Sequence, residues 1–442
     1  MPGADTDPTL DALRRGDLAG SRSLALRAGL TEFPREILGL ADTLEILDLG
    51  GNPLAELPAD FGRLRNLRVL FCSKTRFARL PPALGDCPAL SQVGFRDTGL
   101  TEIPAESLPR RLRWLTVTGN RLASVPAALG ERPALQKLML SGNRLRTLPD
   151  RLAGLPALEL LRLSANRFEA LPGWLDVLPG LAWLAWAGNP LDSDRVAADA
   201  PALPWARLSL DGMLGEGASG QVHRALWRRA PDVTQPVALK LFRGAMTSDG
   251  LPEREMEACL AAGDHPHLTG GLGRVHSHPD GVQGLAMRLL PGHWRALAGP
   301  PSLESCTRDV YAPGQRFAAA VIVRIAGAIA SAGAHLQARG LSHGDLYAHN
   351  VLWDGGDGSA VLSDFGASAF LPDHDPALRA LLERIDVRAW GILLGELLDR
   401  AAPGEEDAGL RQLQGACLDP APHRRPGFAA LCDRLSASYG IR

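Results

Sequence analysis

Residues 341–352, LSHGDLYAHNVL, place a carboxylate and an amide five positions apart, just before an apolar run. The two side chains are Asp345 and Asn350, and a second carboxylate, Asp364, follows in VLSDFG. A carboxylate can accept a proton during a reaction, and carboxylate and amide oxygens are ligands of hard cations such as Mg²⁺. A single motif of this kind is more often ordinary loop structure, so its meaning depends on the elements that position it.

A glycine-rich stretch, LGEGASGQV, lies upstream of these residues and contains the pattern GxGxxG at Gly215, Gly217 and Gly220. In a dinucleotide-binding fold the chain would continue from this pattern into a helix. Here QVHRALW and PVALKLF follow instead, and their apolar and polar residues alternate in the way that predicts two strands. The glycines are therefore predicted to lie in a β-hairpin, and no GxxxxGK[ST] motif is present.

The ordered motifs of residues 208–432 together resemble those of the protein kinase family. The resemblance implies an α+β bilobal domain that binds ATP and Mg²⁺ and transfers a phosphate. It assigns catalytic roles to Lys240 of VALK and to Glu255, the partner of that lysine on the next helix. Glu257 is an alternative partner. Asp345 would accept the proton of the substrate hydroxyl.

The resemblance also implies which residues surround the nucleotide and its metal. Asn350 and Asp364 would hold Mg²⁺, with Phe365 packed beneath them. Arg288–Leu290 would form the hinge between the two lobes. The residues implied to contact ATP are Gly215, Gly217, Gly220, Val222, Ala238, Lys240, Met287, Arg288 and Leu290.

Two further motifs support the resemblance, and the catalytic loop departs from it. Asp386 in DVRAWG is expected to brace the catalytic loop, and Arg425 is expected to be structural. Gly344 stands where an Arg normally pairs with a phosphorylated segment, so control by such a phosphate is not expected. Tyr347 stands where a Lys normally contacts the γ-phosphate. His349 can replace part of that charge, although its ring is expected to be mostly neutral at pH 7.

The segment after Gly366 is short. Nineteen residues, 367–385, separate Gly366 from Asp386, and no Ala-Pro-Glu motif follows. Glu383 is a weak substitute for the missing glutamate partner of Arg425. Because this segment normally supports a peptide substrate, three functions remain open. They are a Ser/Thr-directed protein kinase, a pseudokinase scaffold and a small-molecule kinase.

The first half of the chain repeats itself. The fragments LEILDLGGNPLAELP, LRWLTVTGNRLASVP, LQKLMLSGNRLRTLP and LELLRLSANRFEALP align with one another. A slot occupied by Asn or Thr recurs every 22 or 23 residues, at Asn52, Thr75, Thr98, Asn120, Asn143, Asn166 and Asn189. This pattern resembles the leucine-rich repeat family and implies an α/β solenoid, a horseshoe in which stacked repeats supply the core. The slot side chains are expected to form a hydrogen-bonded ladder.

The residues between the leucines are expected to line the concave face of the solenoid. Several of them are large and apolar, namely Phe71, Trp114, Met139 and Trp183. An exposed apolar surface usually marks a binding site, so the face is predicted to bind a protein or peptide. The alternative is that the face packs against the C-terminal half of the same chain.

Two weaker signals have ordinary interpretations. His265, His267, His276 and His278 form a group that can ligate a metal, but HPH also fits the kinase motif. Cys417-Leu-Asp419 is similar to the nucleophile motif of some leucine-rich-repeat ubiquitin ligases, yet it lies inside the kinase-like C-terminal motif.

Composition places the chain among globular proteins. Net charge is −2 over 442 residues, and 22% are charged, so no nucleic-acid or membrane partner is expected. Six scattered cysteines and the lack of an apolar leader indicate a cytoplasmic location, and the Ala-, Arg- and Gly-rich composition is typical of GC-rich bacterial genomes. The predicted domains are a cap (1–21), leucine-rich repeats (22–191), a linker (192–206) and a protein-kinase-like domain (207–442).

Overall fold

The computed structural model describes residues 7–192, 201–217, 219–244, 246–247 and 249–440. These residues form two compact units, the first ending at Gly180 and the second beginning at Leu181. The predicted linker, 192–206, falls mostly on 193–200, outside the described residues. The boundary between the units lies before the predicted end of the repeats at residue 191, because the last repeat strand groups with the C-terminal unit.

The first unit consists of a capping helix and seven short parallel strands. Helix α1 (Pro8–Arg15) begins after Asp7, whose carboxylate accepts hydrogen bonds from two backbone N–H groups of the first turn. The strands are β1 (Ser23–Ala25), β2 (Ile46–Asp48), β3 (Val69–Phe71), β4 (Gln92–Gly94), β5 (Trp114–Thr116), β6 (Lys137–Met139) and β7 (Leu160–Arg162). Neighbouring strands pair in chain order, and the central residue of each is buried in the core.

The return segments of the repeats are 3₁₀ helices rather than α-helices. They are Arg35–Leu40, Ala59–Arg63, Pro82–Leu84, Ala105–Ser107, Ala127–Glu131, Asp150–Gly154 and Gly173–Val177. Each follows a proline, which sets the entry conformation, and none exceeds six residues. Segments this short favour the tighter 3₁₀ turn over an α-helix. The predicted solenoid with inward leucines is otherwise confirmed.

The slot residues form the expected ladder of hydrogen bonds. Asn143, for example, donates from Nδ2 to the carbonyls of Val117 (3.0 Å) and Leu140 (2.9 Å). Its Oδ1 accepts from the backbone N–H of Leu122 at 3.0 Å. Asn52, Asn120 and Asn166 link neighbouring repeats in the same way. The hydroxyl of Thr75 instead donates to the carbonyl of Cys72 in its own repeat.

We expect Asn143→Ala to lower the free energy of unfolding by about 2–4 kcal/mol, because the buried backbone groups of Val117, Leu122 and Leu140 lose this partner. Equilibrium chemical unfolding measures the change. Asn66→Ala is the matched control, since the exposed Asn66 makes one hydrogen bond, to the carbonyl of Asp42. A loss within about 0.5 kcal/mol at both positions would show that the ladder is not stabilising.

The predicted concave binding surface is only partly accessible. Phe71 and Trp114 are half-buried and pack edge to face, with ring centroids 6.5 Å apart. Met139 is buried, and its sulfur accepts a hydrogen bond from Thr116. Trp183 is 1% exposed, and its ring stacks on Tyr347 within the second unit. The prediction that Trp183 and Met139 lie open to a partner is therefore corrected.

The second unit contains twelve strands and five α-helices among the residues described. Its strands are β8 (Trp183–Ala185), β9 (Ala202–Pro204), β10 (Leu208–Gly217), β11 (Gly220–Ala230), β12 (Val233–Phe242), β13 (Gly271–His276), β14 (Gly284–Arg288), β15 (Arg295–Ala296), β16 (Leu341–Ser342), β17 (Val351–Trp353), β18 (Ala360–Leu362) and β19 (Ala369–Phe370). Its helices are α2 (Pro252–Ala262), α3 (Ala319–Ala338), α4 (Pro376–Leu398), α5 (Ala408–Cys417) and α6 (Phe428–Tyr439).

A six-stranded mixed sheet forms one lobe of this unit, in the order β10–β11–β12–β14–β13–β9. β9 lies in the predicted linker, yet it pairs in parallel with β13 at the sheet edge. Its Leu203 is fully buried in the core of the sheet. Residues 202–204 are therefore part of the folded domain rather than of a linker.

Helix α3 is the central helix of the other lobe. Among the described helices it alone is long and apolar enough to cross a membrane by length and composition, and most of it is buried inside the fold. It packs against α4, α6 and β18. Two small sheets, β15–β17–β18 and β16–β19, lie in the same lobe and carry the catalytic-loop sequence at their ends.

Candidate active site

A cleft of about 420 Å³ lies beneath the hairpin β10–β11. Seven of the nine residues predicted to contact ATP line it, namely Gly215, Val222, Ala238, Lys240, Met287, Arg288 and Leu290. Gly217 and Gly220 are outside its lining and lie at the end of the hairpin, opposite one another. The mixed sheet thus supplies one wall of the cleft, and Met287 and Leu290, from the predicted hinge region, line its side.

The three glycines of the hairpin have different structural roles. A Cβ atom at Gly215 or Gly217 would meet no atom within 4 Å, so the backbone there is open to a close approach. A Cβ at Gly220 would lie 2.1 Å from the carbonyl oxygen of Leu241 on β12. Gly220 is therefore required by strand packing, whereas Gly215 and Gly217 leave room for a ligand.

Three charged groups meet inside the cleft. Lys240 on β12 forms a buried ion pair with Glu255 on α2, and its Nζ lies 3.9 Å from Asp364 Oδ1. The structure thus places Glu255 beside the lysine, whereas the alternative, Glu257, pairs with Arg254 at 2.8 Å.

Burial and charge shift the titration of all three groups. Burial raises the pKa of Glu255 to about 7, although the charge of Lys240 lowers it. Burial lowers the pKa of Lys240, but the carboxylates of Asp364 and Glu255 outweigh this effect, so the pKa is raised. Burial raises the pKa of Asp364, but Lys240 and the N–H of Gly366 hold it below its usual value.

The catalytic loop brings Asp345 and Asn350 together. Asn350 donates from Nδ2 to the carboxylate of Asp345 at 2.8 Å and to its backbone carbonyl at 2.9 Å. Ser363, the residue before Asp364, donates from its N–H to the carbonyl of Asn350 at 2.8 Å. Asp364 itself has φ +60°, a strained conformation for a residue with a side chain. The candidate metal ligands are therefore fixed relative to Asp345.

Asp386 on α4 holds the start of this loop. Its carboxylate accepts hydrogen bonds from the hydroxyl of Ser342 (2.8 Å) and from the backbone N–H groups of His343 (2.8 Å) and Gly344 (3.0 Å). The brace predicted from DVRAWG thus lies beside the loop, but the helix start expected there is wrong, because α4 begins ten residues earlier, at Pro376. His343 in turn lies 3.1 Å from the carbonyl of Ser363 through Nε2.

We expect Asp386→Ala to lower the free energy of unfolding by about 3 kcal/mol, because three buried donors lose their acceptor. Chemical unfolding measures the loss, and hydrogen exchange should rise at the amides of residues 343 and 344. Asp232→Ala, at an exposed position in the same unit, is the control and should change neither. Unchanged exchange in Asp386→Ala would mean that other contacts hold the loop.

The pKa of the His349 ring is higher than that of an exposed histidine. Its Nδ1 lies 2.7 Å from Asp309 Oδ1, and its backbone N–H donates to Asp309 Oδ2 at 3.0 Å. Burial lowers the pKa of the ring, but the hydrogen bond and charge of Asp309, with the charges of Asp345 and Asp364, raise it above its usual value. Asp309 therefore shifts the ring toward the protonated form, relative to the mostly neutral ring that the sequence predicts.

The segment after Gly366 is shorter than the sequence count suggested. Helix α4 already begins at Pro376, capped by Asp375, so only residues 367–375 lie between Gly366 and the helix. Glu383 lies within α4 and pairs with Arg379 at 3.1 Å. Arg425 is buried and donates to the backbone carbonyls of Asp419 and Arg384. Arg425 thus has a structural role built on backbone acceptors.

The two weaker sequence signals do not form sites. The ring of His265 stacks on that of His335 at 4.6 Å, while His278 packs against Trp205. In the described part of the chain, no three His, Cys, Asp or Glu residues are grouped to hold a metal ion. Cys417 is buried, and burial raises the pKa of its thiol to about 12, which makes it a poor nucleophile.

Several cleft residues escaped the sequence reasoning. They are Leu214, Cys259, Thr269, Leu285, Pro291, Gly292, Trp294, Leu352, Ser363 and Phe365, the last predicted only to pack beneath the metal, whereas Leu289 lies inside the predicted hinge Arg288–Leu290. Leu352 lies on β17 two residues after Asn350, so the alternation of a strand there was the available signal. Thr269 and Trp294 lie outside the quoted motifs, and no local pattern marks them.

Comparison with known protein families gives separate matches for the repeat region and for the domain that contains the cleft. Residues 208–402 match the family described as protein tyrosine and serine/threonine kinase. Residues 43–64 and 110–168 match two families described as leucine rich repeats.

Two curated relatives from Dictyostelium discoideum are both named as probable LIM domain-containing serine/threonine-protein kinases. Each is 25% identical to this chain, over 267 and 264 residues. The matches cover 50% of this chain but only 38% and 26% of the relatives, so the chain spans well under half of their length. The chain therefore carries leucine-rich repeats followed by a protein kinase domain of the tyrosine and serine/threonine type.

Proposed function

We propose that this protein is an ATP- and Mg²⁺-dependent protein kinase that phosphorylates Ser or Thr hydroxyls on protein. The observation that carries the proposal is the meeting of Lys240, Glu255 and Asp364 in one cleft, next to the linked pair Asp345 and Asn350. The names of the two relatives favour Ser and Thr as acceptors.

The cleft fits a nucleotide. Its volume of about 420 Å³ and its mainly apolar walls suit an adenine ring. Ala238 and Leu352 lie on strands of the two lobes, on either side of the space, and Met287 lies toward the hinge. The open backbone at Gly215 and Gly217 leaves room for phosphates, and Lys240 supplies a positive charge for them.

The candidate metal ligands also fit. The carboxylate of Asp364 and the amide oxygen of Asn350 are hard oxygen donors, which Mg²⁺ prefers. Both hydrogen bonds of the Asn350 side chain use its nitrogen, which leaves the oxygen to face a cation. When bound, Mg²⁺ would neutralise phosphate charge during transfer.

The chain's own groups then have distinct tasks. Lys240, held by Glu255, would orient the phosphates. Asp345, half-exposed beside the cleft, would accept the hydroxyl proton and align the acceptor oxygen. His349, held by Asp309, would add positive charge near the site of transfer, in place of the lysine that Tyr347 replaces.

A small-molecule acceptor is the second candidate. The observation that favours it is the short segment 367–375, which leaves little chain to support a peptide. The nucleotide chemistry would be the same, and only the acceptor would differ.

The acceptor can be identified by mass spectrometry after incubation with Mg·ATP, alone and with a mixture of protein substrates. The protein-kinase proposal expects phosphoserine or phosphothreonine on protein, lost when Asp345→Asn replaces the wild type. ATP consumption that requires an added metabolite and leaves no phosphate on protein supports the second candidate. ATP binding without turnover supports a pseudokinase scaffold.

We also propose that the repeats recruit a protein partner through the concave face of the first unit. Support comes from the half-buried pair Phe71 and Trp114, with the ammonium group of Lys137 lying 4.2 Å from the Trp114 ring. Phe71→Ala with Trp114→Ala should leave ATP turnover unchanged and reduce phosphate transfer to partner proteins. A cytoplasmic location is proposed as well, supported by six free cysteines, of which five are buried.

A further inference from the structure

The end of the repeat sequence is built into the second unit. Residues 181–192, which we name the terminal repeat segment, group with the kinase domain rather than with the preceding repeats. Both of its tryptophans, Trp183 and Trp186, are 1% exposed. The segment touches two functional elements of the domain, the catalytic loop and helix α2.

Trp183 packs against the catalytic loop next to Asp345. Its ring stacks on Tyr347 with centroids 4.0 Å apart and planes 5° apart. Its indole N–H donates to the carbonyl of Leu346 at 3.0 Å. The guanidinium of Arg308 lies 5.6 Å from the centre of the Trp183 ring. One side chain therefore contacts the two residues that directly follow Asp345.

The backbone of the terminal repeat segment also approaches the loop closely. Gly344 has φ +72°, and a Cβ there would lie 2.6 Å from the carbonyl oxygen of Leu184. It would also lie 2.7 Å from the carbonyl oxygen of Ala367. No larger residue fits at position 344 in this arrangement. The close approach of the terminal repeat segment is therefore compatible with the glycine at position 344 and not with the arginine that usually occupies it.

The far end of the segment reaches α2, the helix that carries Glu255. The carboxylate of Asp192 lies 3.5 Å from Arg254 Nε and accepts the backbone N–H of Gly188 at 2.8 Å. The Asp192 side chain is 1% exposed, so water screens this ion pair little. Arg254 precedes Glu255 directly, so the segment is tied to the helix at the position of the lysine's partner.

We propose that the terminal repeat segment is a built-in clamp that orders the kinase site, with Trp183 and Asp192 as positioning residues. It holds the catalytic loop and α2 together, alongside the short segment 367–375, whose Ser368 hydroxyl donates to the carbonyl of His343 at 3.1 Å. The inference rests on the proposed kinase function. The Lys240–Glu255 pair and the hydrogen bond between Asp345 and Asn350 are both formed in the structure in which the segment packs on the domain. We therefore associate the packed segment with the ordered site. Trp183 does not line the cleft, so the clamp leaves it open.

The first test uses the full chain and needs no catalysis. Trp183→Ala should raise hydrogen exchange of the amides at 343, 344, 349 and 350 by about tenfold or more, since it removes a stacked pair and a hydrogen bond. Trp183→Phe keeps the stack and should restore most of the protection. Trp174→Ala, in the first unit, is the matched control and should leave these amides unchanged. Unchanged exchange in Trp183→Ala overturns the clamp.

The second test separates the two contacts by kinetics. Trp183→Ala should lower kcat for phosphate transfer by about tenfold while KM for ATP stays within about twofold, because the loop but not the cleft is disturbed. Asp192→Asn should instead raise KM for ATP, since α2 and its Glu255 are loosened. A higher kcat in Trp183→Ala would show an inhibitory contact and overturn the proposal. If the wild type shows no turnover, the kinase function fails, and the exchange experiment alone decides whether the clamp exists.

Discussion

Asp345→Asn is expected to slow phosphate transfer by about 10²- to 10⁴-fold, the usual contribution of a positioned proton acceptor. Asparagine has the same shape, so it can still lie beside Asn350, but it cannot take the hydroxyl proton. The affinity for ATP should stay the same, because Asp345 lies outside the lining of the cleft.

Single-turnover transfer and equilibrium nucleotide binding measure the two quantities separately. Asp280→Asn provides the matched control, since Asp280 is exposed in a turn of the same unit. Equal transfer rates in the wild type and Asp345→Asn would remove Asp345 from the catalytic role. A parallel loss of ATP binding would instead indicate a damaged fold.

Lys240→Met is expected to abolish transfer and to destabilise the protein by about 3–5 kcal/mol near pH 8. The reason is that Glu255 would remain buried without its partner. In the wild type burial raises the pKa of Glu255 to about 7, from 4.5 in an exposed glutamate. Removal of the lysine charge raises this pKa further.

The stability of Lys240→Met should decrease as pH rises. In Lys240→Met the folded state holds a proton on Glu255 at pH values where the unfolded state has released it. The contribution of Glu255 to stability is then fully present below pH 4.5 and is lost as pH rises toward the raised pKa, by about 1.4 kcal/mol per pH unit. Urea unfolding from pH 5 to 8 measures this slope.

The double variant Lys240→Met with Glu255→Leu is the control for this slope. It has no carboxyl at position 255, so its stability should recover and lose the pH dependence that Glu255 causes, while transfer stays absent. A flat pH profile in the single variant would show that Glu255 does not lie in a low-dielectric environment.

Much of the fold could be predicted because its signals are local and repeated. The 23-residue period located the strands of the first unit and its hydrogen-bonded ladder, since each slot residue acts on neighbours at a fixed spacing. The alternation after Gly220 correctly predicted a hairpin in place of a helix. These features depend on short-range backbone geometry, which sequence patterns record directly.

Other features depend on contacts between distant residues, and the sequence does not mark them. The stack of Trp183 on Tyr347 joins positions 164 residues apart, so the repeat pattern alone predicts a surface position for this tryptophan. The raised pKa of His349 depends on Asp309, which belongs to no recognised motif. β9 was hidden in an apparent linker because three residues carry too little pattern to indicate a strand.

The central claim is that Lys240, Asp345 and Asp364 form one site of phosphoryl transfer. A time course with γ-labelled ATP and Mg²⁺, comparing the wild type with Asp364→Ala, tests it most directly. We expect covalent label on an acceptor with the wild type, and none with Asp364→Ala or after chelation of Mg²⁺. Equal labelling by both proteins, or ATP binding by the wild type with no label transferred to any acceptor, would contradict the claim.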